Sequence, residues 1–144
     1  MKPRMLVLLL GVAVGCATGY HSSGLTGGFK ETQVGERTYQ VRFTGNAYAS
    51  VDRAAEFLMR RCAELTLEHG ARYFMVQQQS QSGSWTKQGQ AMITILDENK
   101  EDALDAVLIV QQTAERANGK LSPKALATLK EVGEKPWPPS PKGK

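Results

Sequence analysis

A stretch of strict alternation followed directly by a stretch of helical spacing leaves this chain few folds to choose from. From Arg37 to Thr44, Tyr39, Val41 and Phe43 fall on one side and Gln40, Arg42 and Thr44 on the other, the period of a half-buried strand. After the turn Gly45-Asn46-Ala47-Tyr48, the residues Val51, Ala54, Ala55, Leu58, Cys62 and Leu65 recur at three- and four-residue steps. That is a helix, with Ser50 placed to cap it, Asp52 in its first turn and His69-Gly70 at its end. Arg72 to Gln78 resumes as a strand with apolar residues on both faces, Tyr73 and Met75 against Phe74 and Val76, and is expected to be central. A polar connection over 79–89 leads to a further strand from Gln90 to Leu96, paired antiparallel with the one before it. Strand, helix, strand, strand is the order of a β-α-β unit extended by a hairpin. Its first strand and the central one are expected to run parallel through a right-handed crossover. The expected fold class is α+β: a small three-stranded β-α-β-β sheet packed with helices, followed by a C-terminal helical extension.

Beyond Asp97, residues 100–118 read as a helix, because Glu101, Asp102 and Asp105 stand at its start, Arg116 near its end and Asn118-Gly119 beyond it. The run Val107-Leu108-Ile109-Val110 favours a strand instead, and leaves open whether the segment is helical throughout. Ser122-Pro123 is a cap and first-turn pair for a short helix carrying Leu126, Leu129 and Val132. On the helix after Ser50, Glu56, Arg60 and Glu64 lie at four-residue spacing and are expected to be solvated surface pairs, while Cys62 lies on the apolar stripe as a buried free thiol.

The N-terminus carries a second kind of signal. Lys2 and Arg4 precede an uncharged run from Met5 to Val14 and the small residues around Gly15-Cys16-Ala17, the order of a secretory signal. The run is about half the ~20 residues that a spanning helix needs. Ala13-Val14-Gly15-Cys16 looks like a bacterial lipobox, with Ala13 where the pattern usually has Leu, Val or Ile; the alternative is a plain signal cut after Gly15 or Ala17. The resemblance implies lipidation of Cys16, with two glyceride acyl chains and a third, such as palmitate, on the new amine. With about 0.8 kcal/mol per buried methylene, three chains exceed what stable membrane anchoring needs. Ala17 after the cysteine, by resemblance to Gram-negative lipoproteins, favours the outer membrane, facing the periplasm. The expected organisation is a signal peptide over 1–15, a flexible Gly/Ser/Thr-rich tether over 16–28, the α+β domain over 29–118, a short helical extension over 119–132 and a Pro/Lys-rich tail over 133–144.

Composition narrows the function classes. Of the 18 Lys and Arg residues, Lys2 and Arg4 fall in the expected signal, which leaves 16 basic against 14 acidic residues, too even a balance to expect a nucleic-acid partner. No CxxC, HExxH, GxSxG, phosphate-binding or dinucleotide motif occurs, so no catalytic residue, metal site or cofactor is expected. His21 stands in the tether with no second ligand in reach; His69 would need a pocket shared with an acidic residue of shifted pKa to suggest an enzyme. Tyr48 on the strand-to-helix turn and Trp85 on the polar connection are the candidate interaction residues, since aromatics on loops concentrate partner contacts.

Gly27-Gly28-Phe29, the segment Tyr39 to Tyr48, Ala63-Glu64-Leu65-Thr66 through Gly70, and Tyr73-Phe74 resemble a family of small proteobacterial lipoproteins of uncharacterised function. The resemblance covers about residues 16–110 and implies a location and an architecture but no activity. The expectation is a lipid-anchored envelope protein acting as an interaction or structural module, in contact with envelope proteins or wall polymer. The alternative is a small-ligand-binding domain facing the periplasm.

Overall fold

The structure, a computed structural model, describes residues 28–45, 50–82, 88–117 and 121–133. Along the chain lie β1 (Gly28–Gln33), β2 (Thr38–Thr44), α1 (Val51–Glu68), β3 (Tyr73–Ser82), β4 (Gln88–Leu96), β5 (Leu104–Asp105), α2 (Ala106–Gln112), α3 (Ala114–Ala117) and α4 (Pro123–Gly133). The strands form one antiparallel sheet in the order β1-β2-β4-β3-β5. The α+β class is as expected, but the sheet has five strands among the described residues where the sequence suggested three.

The difference has identifiable causes. β1 has no apolar period, because of its inward positions Phe29, Glu31 and Gln33 only the first is apolar, and Glu31 is held inside by Arg61 at 2.7 Å. β5 is two residues long and shows no pattern of its own. The central strand is β4 rather than the segment 72–78: β2 and β3 do run in the same direction, but β4 inserts between them and pairs antiparallel with both. β4 suits the position because Ala91, Ile93 and Ile95 are at most 2% exposed. Gly89 adds close approach, since a Cβ there would meet Leu58 Cδ2 at 3.1 Å.

α1 is capped as its sequence suggests, with Ser50 Oγ accepting from Arg53 N at 3.1 Å and Gly70 closing it at φ +75°. Its apolar stripe packs on β2, β3 and β4, where Phe43, Leu58, Cys62, Phe74 and Ile93 are fully enclosed. Burial pushes the Cys62 thiol up to about 12 against the opposing charge of Arg61, which makes it a poor nucleophile at neutral pH. α2 begins only at Ala106, because Asp105 adopts an extended conformation and its carboxylate accepts from Val107 N at 2.9 Å as the cap. Val107 to Val110 are helical, and the helix breaks at Thr113 before α3. α4 starts as expected, with Ser122 Oγ accepting from Ala125 N at 3.2 Å.

The face of α1 read as solvated is largely interior. α2 and α4 pack on α1 from the side away from the sheet, so the helix is covered on both sides and Arg60 and Glu64 are only 2% and 5% exposed. Arg60 Nε donates to Glu64 Oε1 at 2.9 Å, and its Nη1 donates to Val110 O at 3.1 Å and Thr113 Oγ1 at 3.0 Å. Arg61 bridges Glu31 and Glu68, which Ser122 also reaches at 3.0 Å from the start of α4. Glu56 is half-buried, at 20% side-chain exposure, and meets the exposed Arg116 at 3.2 Å rather than Arg60. Each buried side-chain nitrogen or oxygen among the described residues has a partner, as a buried ionic cluster must.

Burial opposes ionisation of Glu68, but the hydrogen bonds and charge of Arg61, helped by Ser122 and His69, outweigh it and hold the carboxyl below its usual value of 4.5. A depressed folded-state pKa stabilises the fold at pH above the unfolded value, and that contribution is lost as pH falls through the folded value. Acid titration of stability should therefore show a shallower loss below pH 4.5 in Glu68→Gln than in wild type, as followed by denaturant midpoints. Parallel acid limbs would remove Glu68 from the acid response.

Candidate interaction surface

Because every strand pairing is antiparallel, partners across the sheet share a face, and the register sorts the residues into two sides. The inner side, with Val41, Ala91, Ile93 and Phe74, lies under α1. The outer side carries one row of Lys30, Arg42, Gln90 and Ser80 and a second of Thr32, Gln40, Met92 and Gln78. A third row holds Thr38, Thr94 and Met75, and a fourth Leu96, Tyr73 and Asp105. The outer-face residues of the first three rows are exposed or half-buried, and no described helix packs on them.

The chemistry of this face is specific. Amides and hydroxyls dominate it, Lys30 and Arg42 are adjacent partners, and no aspartate or glutamate stands in the first three rows. Arg42 lies along the sheet, its Nη2 and Nε donating to Gln90 Oε1 at 2.9 and 3.3 Å, and the Thr38 and Thr94 hydroxyls meet at 3.2 Å. A face of this kind orders hydrogen-bonding groups on a rigid sheet. β2's alternation showed Gln40, Arg42 and Thr44 pointing outward, but the rows emerge only from the register between strands.

Two shallow clefts lie at the end of the sheet around Arg37. One, of about 260 Å³, is lined by Glu36, Arg37, Tyr39, His69 and Ile95; the other, of about 390 Å³, by Arg37, Ile95, Leu96, Asp97, Glu98 and Lys100. Arg37 is already engaged, at 2.7 Å from the Asp97 carboxylate and 3.2 Å from Ile95 O. His69 shares the first cleft with Glu36, but both its ring nitrogens are committed. Its Nδ1 lies 2.8 Å from Leu65 O, which can only accept, so Nδ1 donates; Nε2 and the Tyr39 hydroxyl lie 2.8 Å apart, and either can donate to the other according to whether the ring carries a proton there. His69 thus ties the end of α1 to β2. No group of three potential metal ligands occurs among the described residues.

Cys16, Tyr48 and Trp85 lie outside the described residues, as does His21. The strands do fix where their segments attach. Gly28, Thr44, Gln88 and Ser82 form one register row at one end of the sheet, so β1's entry and the two segments carrying Tyr48 and Trp85 all join the fold there. No helix among the described residues is long and apolar enough to cross a membrane. No protein-family model, curated protein or solved structure matches the chain.

Proposed function

We infer that the chain is an exported, lipid-anchored envelope protein that acts through surface contact rather than chemistry, held on the outer membrane and facing the periplasm. The observation that carries this reading is the Gly15-Cys16 junction behind a charged start and a short apolar run. A sheet face left open by the helices and furnished with hydrogen-bonding groups supports the contact role, and the likeness of residues 16–110 to small proteobacterial lipoproteins supports the location. Tyr48 and Trp85 belong to the same proposal as contact residues.

Fractionation of cells tests the anchor. Wild-type protein is expected to partition with membranes, and Cys16→Ala to lose that partitioning and to accumulate as uncleaved precursor. A wild-type mature chain recovered soluble and without acyl groups by mass spectrometry would overturn the lipid anchor.

A further inference from the structure

We propose that the open face of the sheet is a docking surface for an acidic polysaccharide; this names a partner for the contact role above and rests on that reading. Solvated protein faces are ordinarily dense in charges of both signs. Here the charged members are Lys30 and Arg42, both positive and side by side, in three rows otherwise made of glutamine, threonine, serine and methionine that carry no carboxylate. Protein interfaces centre on large apolar or aromatic anchors. The most exposed large hydrophobics among the described residues, Val34, Val51, Leu108 and Leu126, lie off this face, and Met75 and Met92 on it are half-buried. Single-stranded nucleic acid calls for stacking aromatics and a longer basic track. A sugar polymer matches what is present: its hydroxyls both donate and accept, as do the Gln40 amide and the Thr94 hydroxyl, and its acid groups answer the adjacent cations. Such an interface is flat, polar and wet, and keeps its affinity through bridging waters.

The test measures binding of full-length protein, purified in detergent, to polygalacturonate, to neutral dextran of similar length and to polyglutamate. Binding is expected for polygalacturonate, with at least tenfold weaker binding for dextran and for polyglutamate. Lys30→Glu/Arg42→Glu should weaken polygalacturonate binding at least tenfold while leaving the thermal midpoint near that of wild type, since both side chains are exposed. Lys124→Glu/Lys130→Glu, the same change of charge on α4, should bind as wild type. Gln40→Leu, which keeps the charge and removes an amide, should weaken binding severalfold, and provides the readout if the double variant unfolds. Equal binding to polyglutamate, equal weakening by the α4 variant, no binding to polygalacturonate, or a dimer in sedimentation that the Lys30/Arg42 variant dissociates would each overturn the proposal. None of these outcomes depends on Cys16, so failure here and failure of the lipid anchor are read separately.

Discussion

Arg60→Ala is expected to destabilise the fold by about 3–5 kcal/mol, the range for breaking a buried ion pair from one side. Arg60 is the largest fully enclosed side chain among the described residues, at 2% exposure, and its removal leaves the Glu64 carboxylate in the interior with the longer 3.4 Å contact to Arg61. Val110 O and Thr113 Oγ1 lose their guanidinium donor at the same time, and the space of a long side chain opens between α1 and α2. The denaturant midpoint should fall accordingly. Arg60→Met/Glu64→Leu, which replaces the pair with apolar groups of similar size, should recover much of the loss, because it removes the charge that the single substitution strands. A cost below about 1 kcal/mol for Arg60→Ala, the usual value for exposed pairs, would mean that the C-terminal helices do not cover this face.

Arg72→Ala is expected to have an effect of the same size, about 3–5 kcal/mol, but concentrated in the C-terminal helices. Arg72 is 8% exposed and its guanidinium meets Asp105 Oδ2 at 2.8 and 3.0 Å while Nη1 donates to Val132 O at 2.7 Å. One side chain therefore holds the start of α2 and the end of α4. Asp105 keeps its cap of Val107 N in the variant but becomes a buried carboxylate without its cation. Amide exchange should accelerate first in α2 and α4, ahead of the β2–β4 ladder. Arg72→Lys should rescue only part of the loss, since an ammonium cannot form the planar fork that spans two elements. Uniform acceleration throughout the sheet would show that Arg72 supports the whole core and not the docking of the helices.

The elements whose signals are local were legible in the sequence. Ser50 and Ser122 cap the helices that their positions suggested, Gly70 takes the left-handed conformation, and the alternation of Tyr39, Val41 and Phe43 fixes the buried side of β2. What depended on distant residues was not legible. Arg60 and Glu64 at four-residue spacing look the same whether water or another helix lies beyond them, and only the packing of α2 and α4 decides. β1 hid its strand because the inward Glu31 is neutralised by Arg61, from 30 residues along the chain. For the candidate surface, single strands displayed the outward polar residues, but the absence of acids across its first three rows is a property of the register.

The charged outer side of α1 also bears on the order in which the chain can fold. Synthesis delivers residues 28–96 first, and they contain β1 to β4 and α1, enough to bury the apolar stripe against the sheet. Until residues 106–133 arrive, the side of α1 with Arg60 and Glu64 lacks the cover of α2 and α4, while Arg61 already has Glu31 of β1 within reach. A helix destined to be enclosed on both sides would ordinarily expose a sticky surface at that stage. Here the waiting surface includes the charges of Arg60 and Glu64 beside Ala63 and Leu67, and the last segments dock by exchanging water for specific partners such as Val110 O, Thr113 and Ser122.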